Sequence, residues 1–302
     1  MREAELLAQL RAIFDRPAKP ELRVGNGDDG AVIDGDSRKI VVSSDLAVEG
    51  VHFRKDWSSS FEIGRKITAA NLADICAMGG WPEYLLVNVV LPPAQIADAP
   101  DLARGIAAEA DLVGAQVIGG DISSGGELTI SITALGYCDH PIERSGARVG
   151  EWIVVTSLPG SSAAGLEPLR GSGRQASDLA TRVIAQHKAP TLDYARYKAV
   201  AKYLSAATDI SDGLVVDATH LADASGVRFA LAGAALRASE LAQLDSERYL
   251  EWVLGGGEDH ILLGTTSEPE RSGMIVIGQV EAGSGVTLDG EIQTGLGFTH
   301  HW

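Results

Sequence analysis

The stretch Arg144-Ser145-Gly146-Ala147, followed shortly by Trp152-Ile153-Val154-Val155-Thr156, divides this chain into two parts of similar size. The first of these segments is polar and turn-forming, whereas the second has the apolar, β-branched composition of a buried strand. The pattern of strands and helices therefore starts afresh after the turn. We predict a domain boundary near Gly146, with one domain over residues 1–146 and a second over residues 147–302.

Both parts mix helical and strand patterns. On the N-terminal side, the strand pattern Ile40-Val41-Val42 is followed by a long amphipathic segment from Phe61 to Met78, which Gly79-Gly80 and Pro82 bring to an end. On the C-terminal side, a helical pattern runs from Ser211 to Ala224. We therefore predict an α+β fold made of two mixed α/β domains.

The composition is that of a globular chain with an acidic surface. Asp and Glu together number 41 against 25 Lys and Arg, which gives the 302 residues a formal net charge of −16. Because nucleic acids and anionic membranes are bound through Lys and Arg, we expect neither as a partner. The longest largely apolar run, Tyr84 to Pro93, is too short to cross a bilayer, so we expect a cytoplasmic protein.

Aspartates recur where an apolar strand pattern gives way to small residues. They are Asp28 and Asp29 after Gly27, Asp45 after Ser43-Ser44, Asp121 after Gly119-Gly120, and Asp209 and Asp212 around Ile210-Ser211. Each one alone is explained by a turn or a helix cap, since Asp is favoured in both places. Asp74 differs, because it falls within the helical segment that also contains Lys66.

A convergence of several of these carboxylates would require a cation. Two carboxylates about 5 Å apart repel each other by roughly 3 kcal/mol at an effective dielectric constant of about 20. Oxygen ligands without clustered His or Cys suit Mg²⁺, which takes only one or two carboxylates per ion. Several aspartates therefore suggest more than one Mg²⁺, and such ions, with glycine-rich turns, would let an acidic chain hold a polyphosphate.

Common phosphate-binding motifs do not account for this pattern. The segment Gly25-Asn26-Gly27-Asp28-Asp29-Gly30 matches G-x-G-x-x-G, but it leads into the strand pattern Ala31-Val32-Ile33 rather than into a helix. The sequence contains no G-x-x-x-x-G-K-[ST], no protein-kinase signature, and no serine-hydrolase or zincin motif. Rossmann, P-loop and protein-kinase chemistry are therefore excluded.

Seven groups of motifs occur along nearly the whole chain, from about residue 25. They are Gly27-Asp28-Asp29, Ser43-Ser44-Asp45 with Val48-Glu49-Gly50-Val51-His52-Phe53, Asn71-Leu72-Ala73-Asp74-Ile75 with Ala77-Met78-Gly79, Gly119-Gly120-Asp121, Arg144-Ser145-Gly146-Ala147, Asp209-Ile210-Ser211-Asp212-Gly213-Leu214 and Gly256-Gly257-Glu258-Asp259. Together, and in this order, they resemble the thiamine-monophosphate kinase family. The resemblance implies ATP-dependent phosphorylation of thiamine monophosphate to thiamine diphosphate by a homodimer, in the fold shared with aminoimidazole ribonucleotide synthetase.

The resemblance also implies roles for particular residues and for the two domains. The implied Mg²⁺ ligands are Asp28, Ser43, Ser44, Asp45, Asp74, Asp121, Asp209 and Asp212. The implied nucleotide contacts are Gly120, Asp121, Arg144 and Ser211, and the implied contacts to thiamine monophosphate are His52, Glu258 and Phe298. Residues 1–146 would bind ATP and Mg²⁺ and dimerise, and residues 147–302 would complete the nucleotide and substrate site.

The expected chemistry depends on Asp121, Asp212 and Arg144. We expect direct in-line transfer of the γ-phosphoryl group of ATP to a phosphate oxygen of the acceptor, because that oxygen is already an anion and needs no strong base. The aspartates then act as metal ligands rather than as nucleophiles. On the substrate side, an aromatic face and a carboxylate both attract the permanently cationic thiazolium ring.

The chain departs from the family pattern at several positions. Ser43-Ser44 stands where the family commonly has two threonines, and Ile122-Ser123 follows Asp121 where two threonines are usual. His260-Ile261 replaces an aromatic residue and Glu, and the segment from Gly297 to Trp302 strays from the usual ending.

Two alternatives stay open. The first is another ATP-dependent enzyme of the same fold, which would activate an amide or a selenium species. Such an enzyme is expected to carry a reactive Cys or selenocysteine near the N-terminus, or a Cys-containing tail. This sequence ends in Trp302. The other alternative is a non-catalytic nucleotide or Mg²⁺ sensor. Release of ADP that depends on thiamine monophosphate separates these hypotheses.

Overall fold

The structure is a computed structural model that describes residues 3–17, 19–24, 31–35, 37–171 and 177–298. Contacts within the chain divide it into two units, Met1–Ile75 with Gly80–His140 and Cys76–Gly79 with Pro141–Trp302. The main division falls at His140, a few residues before the expected boundary at Gly146. No helix in the described part of the chain is long and apolar enough to span a membrane.

The first unit contains a four-stranded sheet, a two-stranded hairpin and three α-helices among its described residues. The helices are α1 (Glu3–Phe14), α2 (Ser60–Ala77) and α3 (Ala99–Asp111), with a 3-10 helix over Pro93–Asp98. The strands are β1 (Leu22–Val24), β2 (Val32–Ile33), β3 (Lys39–Val48), β4 (Trp81–Leu91), β5 (Gln116–Ser124) and β6 (Thr129–Cys138). The four-stranded sheet has the order β3-β6-β4-β5, in which only the β4–β5 pair is parallel, and β1 pairs with β2.

The four-stranded sheet has a buried face and a largely open face. Side chains alternate along a strand, and Val41 and Ala47 of β3 are accordingly buried. The side chains on the opposite face, Ile40, Val42 and Leu46, are 60%, 58% and 56% exposed. The β1–β2 hairpin packs against aromatic residues at one end of this open face. Along β3, this face presents Ile40, Val42 and Leu46 to solvent, together with Ser44.

Helix α2 begins and ends with recognisable signals. At its start, the Ser59 hydroxyl accepts the N–H of Glu62 at 3.2 Å, and Glu62 Oε2 accepts the N–H of Ser59 at 2.7 Å, which is a capping box. At its end, Gly79 takes a left-handed φ of 72°. The predicted helix from Phe61 to Met78 is therefore confirmed to within one residue at each end.

Helices α2 and α3 approach each other closely through two glycines. A Cβ atom at Gly64 would collide with the carbonyl oxygen of Leu102, and one at Gly105 would collide with the carbonyl oxygen of Phe61. Both positions are ordinary helical residues, so the glycines are required by the small separation of the two backbones rather than by an unusual φ.

The second unit contains a seven-stranded sheet and seven α-helices among its described residues. The helices are α4 (Ser161–Leu169), α5 (Asp178–Lys188), α6 (Tyr194–Ala201), α7 (Leu214–Ser225), α8 (Gly233–Leu236), α9 (Tyr249–Gly255) and α10 (Pro269–Ser272). The strands are β7 (Trp152–Val155), β8 (Ala206–Asp209), β9 (Arg228–Leu231), β10 (Leu262–Thr266), β11 (Ile275–Glu281), β12 (Gly285–Leu288) and β13 (Glu291–Ile292). Their order is β13-β12-β9-β11-β7-β10-β8, and only β12 and β9 are parallel.

The predicted fold class is confirmed, since each unit mixes helices with a largely antiparallel sheet. The strand predicted from Trp152 onward is β7. The apolar core of the second unit includes Leu214, Phe229 and Ile277. The helical pattern predicted from Ser211 begins three residues later as α7, because the intervening residues form a loop.

Candidate functional site

In the first unit, four polar residues of β3 and α2 come together. Ser43 and Asp45 are two residues apart on a strand and share a face, and Asn71 and Asp74 are three apart on α2 and share a side of the helix. The Ser43 hydroxyl donates to Asp74 Oδ2 at 2.6 Å, and the N–H of Asp45 donates to Asn71 Oδ1 at 3.3 Å. The structure therefore groups three of the expected ligands and adds Asn71, which the sequence reasoning placed in a motif without a role.

Ser44 lies on the other face of the same sheet. Its hydroxyl is 2.9 Å from Thr133 Oγ1 and 3.3 Å from the carbonyl oxygen of Ile132. Ser44 therefore faces away from its two neighbours in the Ser43-Ser44-Asp45 motif.

Asp121 lies on β5, at the opposite edge of the four-stranded sheet from β3. The pairing places Asp121 opposite Asn88, Asn88 opposite Ser131, and Ser131 opposite Leu46. Three strand spacings separate Asp121 from β3, which is about 14 Å. Within the first unit of one chain, Asp121 and Asp45 are therefore too far apart to bind the same ion.

The segment before Asp121 forms one wall of a cavity of about 670 Å³, which α1, α3, β4 and β5 also line. Gly120 has a φ of 149°, and a Cβ atom there would collide with the Val87 carbonyl oxygen. Only glycine fits this position, so Gly119-Gly120 brings open backbone to the cavity beside the Asp121 carboxylate.

The expectation that these aspartates end their strands is wrong for Asp45 and Asp121. Strand β3 continues to Val48 and β5 continues to Ser124. Asp209, in contrast, is the last residue of β8, as predicted.

In the second unit, the loop Ser211-Asp212-Gly213 is fastened by a buried carboxylate. Asp217 Oδ2 accepts the N–H groups of Ser211, Asp212 and Gly213 at 3.0, 3.0 and 3.1 Å. Burial, together with the nearby Asp209 carboxylate, raises the pKa of Asp217 to about 7, while the backbone N–H donors oppose the rise. Asp217 thus fixes the loop that carries the expected ligand Asp212.

Arg144 and Asp209 both lie at strand β8. Arg144 Nη2 donates to Thr208 Oγ1 at 3.3 Å, and Asp209 is buried with its Oδ2 3.0 Å from His260 Nδ1. Arg144, which is expected to contact the nucleotide, therefore binds Thr208, the residue directly before the expected metal ligand Asp209.

The segment Gly256–His260 joins α9 to β10 and has a strained backbone. Glu258 and His260 take left-handed φ values of 62° and 52°, which non-glycine residues rarely adopt. Asp259 is buried, accepts the N–H groups of Gly160 and Ser162 at the start of α4, and has its pKa raised to about 6 by burial. We call residues 256–260 the Glu258 loop.

Four of the predicted residues of the second unit are joined in two pairs by backbone hydrogen bonds. The N–H of Glu258 donates to the Ser211 carbonyl at 2.8 Å, and the N–H of Phe298 donates to the Asp212 carbonyl at 2.9 Å. The Phe298 side chain is 48% exposed, and the Glu258 carboxylate is partly exposed. A carboxylate and an aromatic ring thus lie directly beside the loop that carries Asp212.

The remaining predicted residues are placed differently. His52 lies in the turn after β3, where its Nδ1 accepts the N–H of Val48 at 3.1 Å, which leaves the proton on Nε2. Asp28, with Gly27 and Asp29, lies outside the described residues, as does the segment after Phe298.

The donors in each unit suit a hard cation, although they occur as small groups. Among the described residues, no three His, Cys, Asp or Glu side chains gather as a metal site. Ser43, Asp45 and Asp74 supply hydroxyl and carboxylate oxygens, and Asp209 and Asp212 supply carboxylates in the second unit. This oxygen chemistry fits Mg²⁺, which completes its shell with water and phosphate oxygens.

Comparison with known proteins finds relatives over most of the chain. Residues 27–138 match the family model "AIR synthase related protein, N-terminal domain". A thiamine-monophosphate kinase of Mycobacterium tuberculosis is 37% identical over 295 residues, covering 94% of this chain and 87% of that protein.

Two solved structures are similar over nearly their whole length. One, described as "AaThiL complexed with AMPPCP and TMP", has a TM-score of 0.81 and 30% identity and covers 100% of this chain and 99% of its own. The other, the thiamine-monophosphate kinase of Stenotrophomonas maltophilia K279a, has a TM-score of 0.85 and 28% identity, with coverage of 97% and 98%. The chain therefore belongs to the thiamine-monophosphate kinase family.

Proposed function

We propose that this chain transfers the γ-phosphoryl group of ATP directly to thiamine monophosphate, giving thiamine diphosphate, with several Mg²⁺ ions. The single observation that carries the proposal is the joining of the Asp212 loop to Glu258 and Phe298. This joining supports the proposal, because the carboxylate proposed to bind metal would then lie near the two kinds of group that attract a cationic ring. The relatives named above support the same substrate pair.

The proposed metal ligands are the oxygen donors of both units. They are Asp28, Ser43, Ser44, Asp45, Asp74, Asp121, Asp209 and Asp212. Mg²⁺ bound there would neutralise the charge on the phosphates during transfer. Asp217 would keep Asp212 in place, since it fastens the backbone on both sides of that residue.

The remaining proposed roles are those that the resemblance to the family implies. Gly120, Asp121, Arg144 and Ser211 would contact the nucleotide, with Gly120 offering open backbone and Arg144 a cation for the equatorial phosphate oxygens. His52, Glu258 and Phe298 would contact thiamine monophosphate. No residue acts as a strong base, since the attacking phosphate oxygen is already anionic.

We also propose that the chain forms a homodimer in the cytoplasm, through the domain of residues 1–146. The open face of the four-stranded sheet supports this, because Ile40, Val42 and Leu46 leave apolar surface that a second copy would cover. As the resemblance implies, the domain of residues 147–302 would complete the nucleotide and substrate site.

The test is the release of ADP by the purified protein with ATP, with and without thiamine monophosphate and with and without Mg²⁺. We expect ADP only when acceptor and metal are both present. ATP binding without any ADP release would favour a sensor, and ADP release that ignores thiamine monophosphate but responds to another phosphorylated or amide acceptor would favour a different enzyme of this fold.

A further inference from the structure

A buried histidine lies behind the Glu258 loop and has no part in the chemistry proposed above. His187 is in the last turn of α5, and its side chain is 7% exposed. Its Nδ1 lies 3.0 Å from Ser162 Oγ in the first turn of α4 and 3.6 Å from Glu258 Oε2. One imidazole nitrogen thus faces both a buried hydroxyl and the carboxylate expected to meet the substrate.

This arrangement does not have the geometry of a nucleophilic triad. In a triad the hydroxyl and the acid contact opposite nitrogens of the imidazole, so that a proton can be taken from the hydroxyl while the acid orients the ring. Here both oxygens contact Nδ1, and Ser162 is only 1% exposed, so that no substrate reaches its hydroxyl. The group is therefore suited to positioning and not to attack.

Ser162 is linked to two consecutive residues of the Glu258 loop, directly to Asp259 and through His187 to Glu258. Its backbone N–H donates to Asp259 Oδ1 at 2.8 Å, and its hydroxyl contacts the imidazole that faces Glu258. A proton on Nδ1 suits both neighbours, since the hydroxyl oxygen accepts and the carboxylate is attracted. The contacts run from Ser162 through His187 to Glu258, along the chain to Asp259, and back to Ser162.

We propose that His187 is a positioning residue that holds the Glu258 carboxylate toward the cationic ring of the phosphate acceptor. The inference rests on the proposed function, because it assumes that Glu258 meets that ring. The left-handed φ of Glu258 costs free energy and persists only where surrounding contacts fix the residue; the backbone bond to Ser211 and the side-chain contact to His187 are two such contacts. Loss of the imidazole would leave the carboxylate with more freedom and would weaken acceptor binding, with no change at the nucleotide.

The first test compares His187→Gln and Glu258→Gln with the wild type in ADP release at saturating Mg²⁺. We expect both variants to raise the KM for thiamine monophosphate about tenfold and to leave the KM for ATP unchanged, because one variant removes the carboxylate charge and the other removes the imidazole that faces it at 3.6 Å. The double variant should have the same KM for thiamine monophosphate as Glu258→Gln, because His187 acts on the acceptor only through the Glu258 carboxylate. His140→Gln, at an exposed position, is the control for the substitution itself.

A second test separates positioning from loss of structure. The amide nitrogen of Asn can occupy the place of Nδ1, whereas that of Gln corresponds to Nε2, so His187→Asn should bind thiamine monophosphate more tightly than His187→Gln in calorimetry with a non-hydrolysable ATP analogue. Ser162→Ala retains the imidazole. It should raise the KM for thiamine monophosphate less than His187→Gln does, and it should leave the KM for ATP unchanged. If His187→Gln does not fold, Ser162→Ala and His187→Asn carry the comparison.

The outcomes distinguish this inference from the proposed function. A wild-type protein that never turns over thiamine monophosphate overturns both. A wild type that does so, with a raised KM in Glu258→Gln and an unchanged KM in His187→Gln, overturns only the role of His187. Equal rises in the KM values for ATP and for thiamine monophosphate would assign His187 to structure alone. Weaker binding of thiamine monophosphate by His187→Asn than by His187→Gln would do the same.

Discussion

At the scale of single residues, the aspartates of the second unit divide into anchors and candidate ligands. Asp217 and Asp259 are buried, and each accepts two or more backbone N–H groups at the start of a helix or loop. Asp212 receives its position from one of these anchors. Replacing an anchor should therefore disturb the fold, and replacing a ligand should disturb catalysis alone.

The anchor Asp217 should make stability depend on pH. Its pKa is about 7 in the folded chain against 3.8 in the unfolded chain, so the native state binds more protons between these values and the free energy of unfolding falls as pH rises through this window. Asp217→Asn keeps an acceptor oxygen for the three N–H groups and removes the titration. Urea unfolding at pH 5 and pH 7 in metal-free buffer should show a smaller difference in this variant than in the wild type.

Asp259 contributes a smaller effect of the same sign, between pH 3.8 and about 6. Some pH dependence should therefore remain in Asp217→Asn. An unchanged difference between the two pH values would show that Asp217 is ionised in the folded chain at pH 5.

The ligands Asp121 and Asp212 should respond differently from the anchors. Asp121→Asn and Asp212→Asn should each lower kcat by about a hundredfold or more, since each removes a negative charge from a metal ligand, while the unfolding temperature stays the same. Steady-state kinetics and calorimetry measure the two quantities. Asp139→Asn, at an exposed position, is the matched control, and near-normal turnover in both test variants would contradict their roles.

At the scale of elements, α2 positions two of the polar side chains of the first unit and depends on its capping box. Ser59→Ala removes the hydroxyl that accepts the Glu62 N–H and should lower the free energy of unfolding by about 1 kcal/mol. Chemical denaturation measures this change. The same substitution at exposed Ser267 should have little effect, and equal losses at the two positions would argue against the cap.

A helix or strand could be predicted where the sequence pattern that specifies it lies within the element or next to it. Helix α2 was predicted closely because its apolar spacing and its terminal glycines all lie within the helix or directly after it. Helix α5 was missed, although Leu179, Val183 and Ile184 are buried at helical spacing and Ser177 caps its start. The polar segment before it obscured a pattern that was present.

The site could be predicted only in part, for a related reason. The motifs around Asp212 and Glu258 are local and could be read from the sequence. Asp259 meets Ser162 across 97 residues and His260 meets Asp209 across 51, so no spacing in the sequence reveals these contacts. Ser162 and His187 act through such distant partners and were therefore missed. Asp217 was missed although its partners Ser211, Asp212 and Gly213 are only four to six residues away, because its helical position does not show that its side chain turns back to the loop.

At the scale of the whole molecule, the open sheet face should decide the oligomeric state. We expect the wild type to have the mass of two 31.6 kDa chains by light scattering, and Val42→Asp to have the mass of one, because a charge would be buried in the apolar interface. Ile292→Asp, at a side chain that is 76% exposed in the second unit, is the control and should leave the mass unchanged. A wild type that is monomeric would refute the dimer.

The many contacts of the Glu258 loop affect how it should behave before any substrate arrives. The N–H groups of Gly256, Glu258 and His260 are all bonded to carbonyl oxygens, so this irregular segment should exchange its amide hydrogens with deuterium as slowly as a strand does. Its conformational entropy is already lost in the free protein. Association with the acceptor should therefore require no ordering of this segment, and its exchange rate should be nearly the same in the free and the occupied protein.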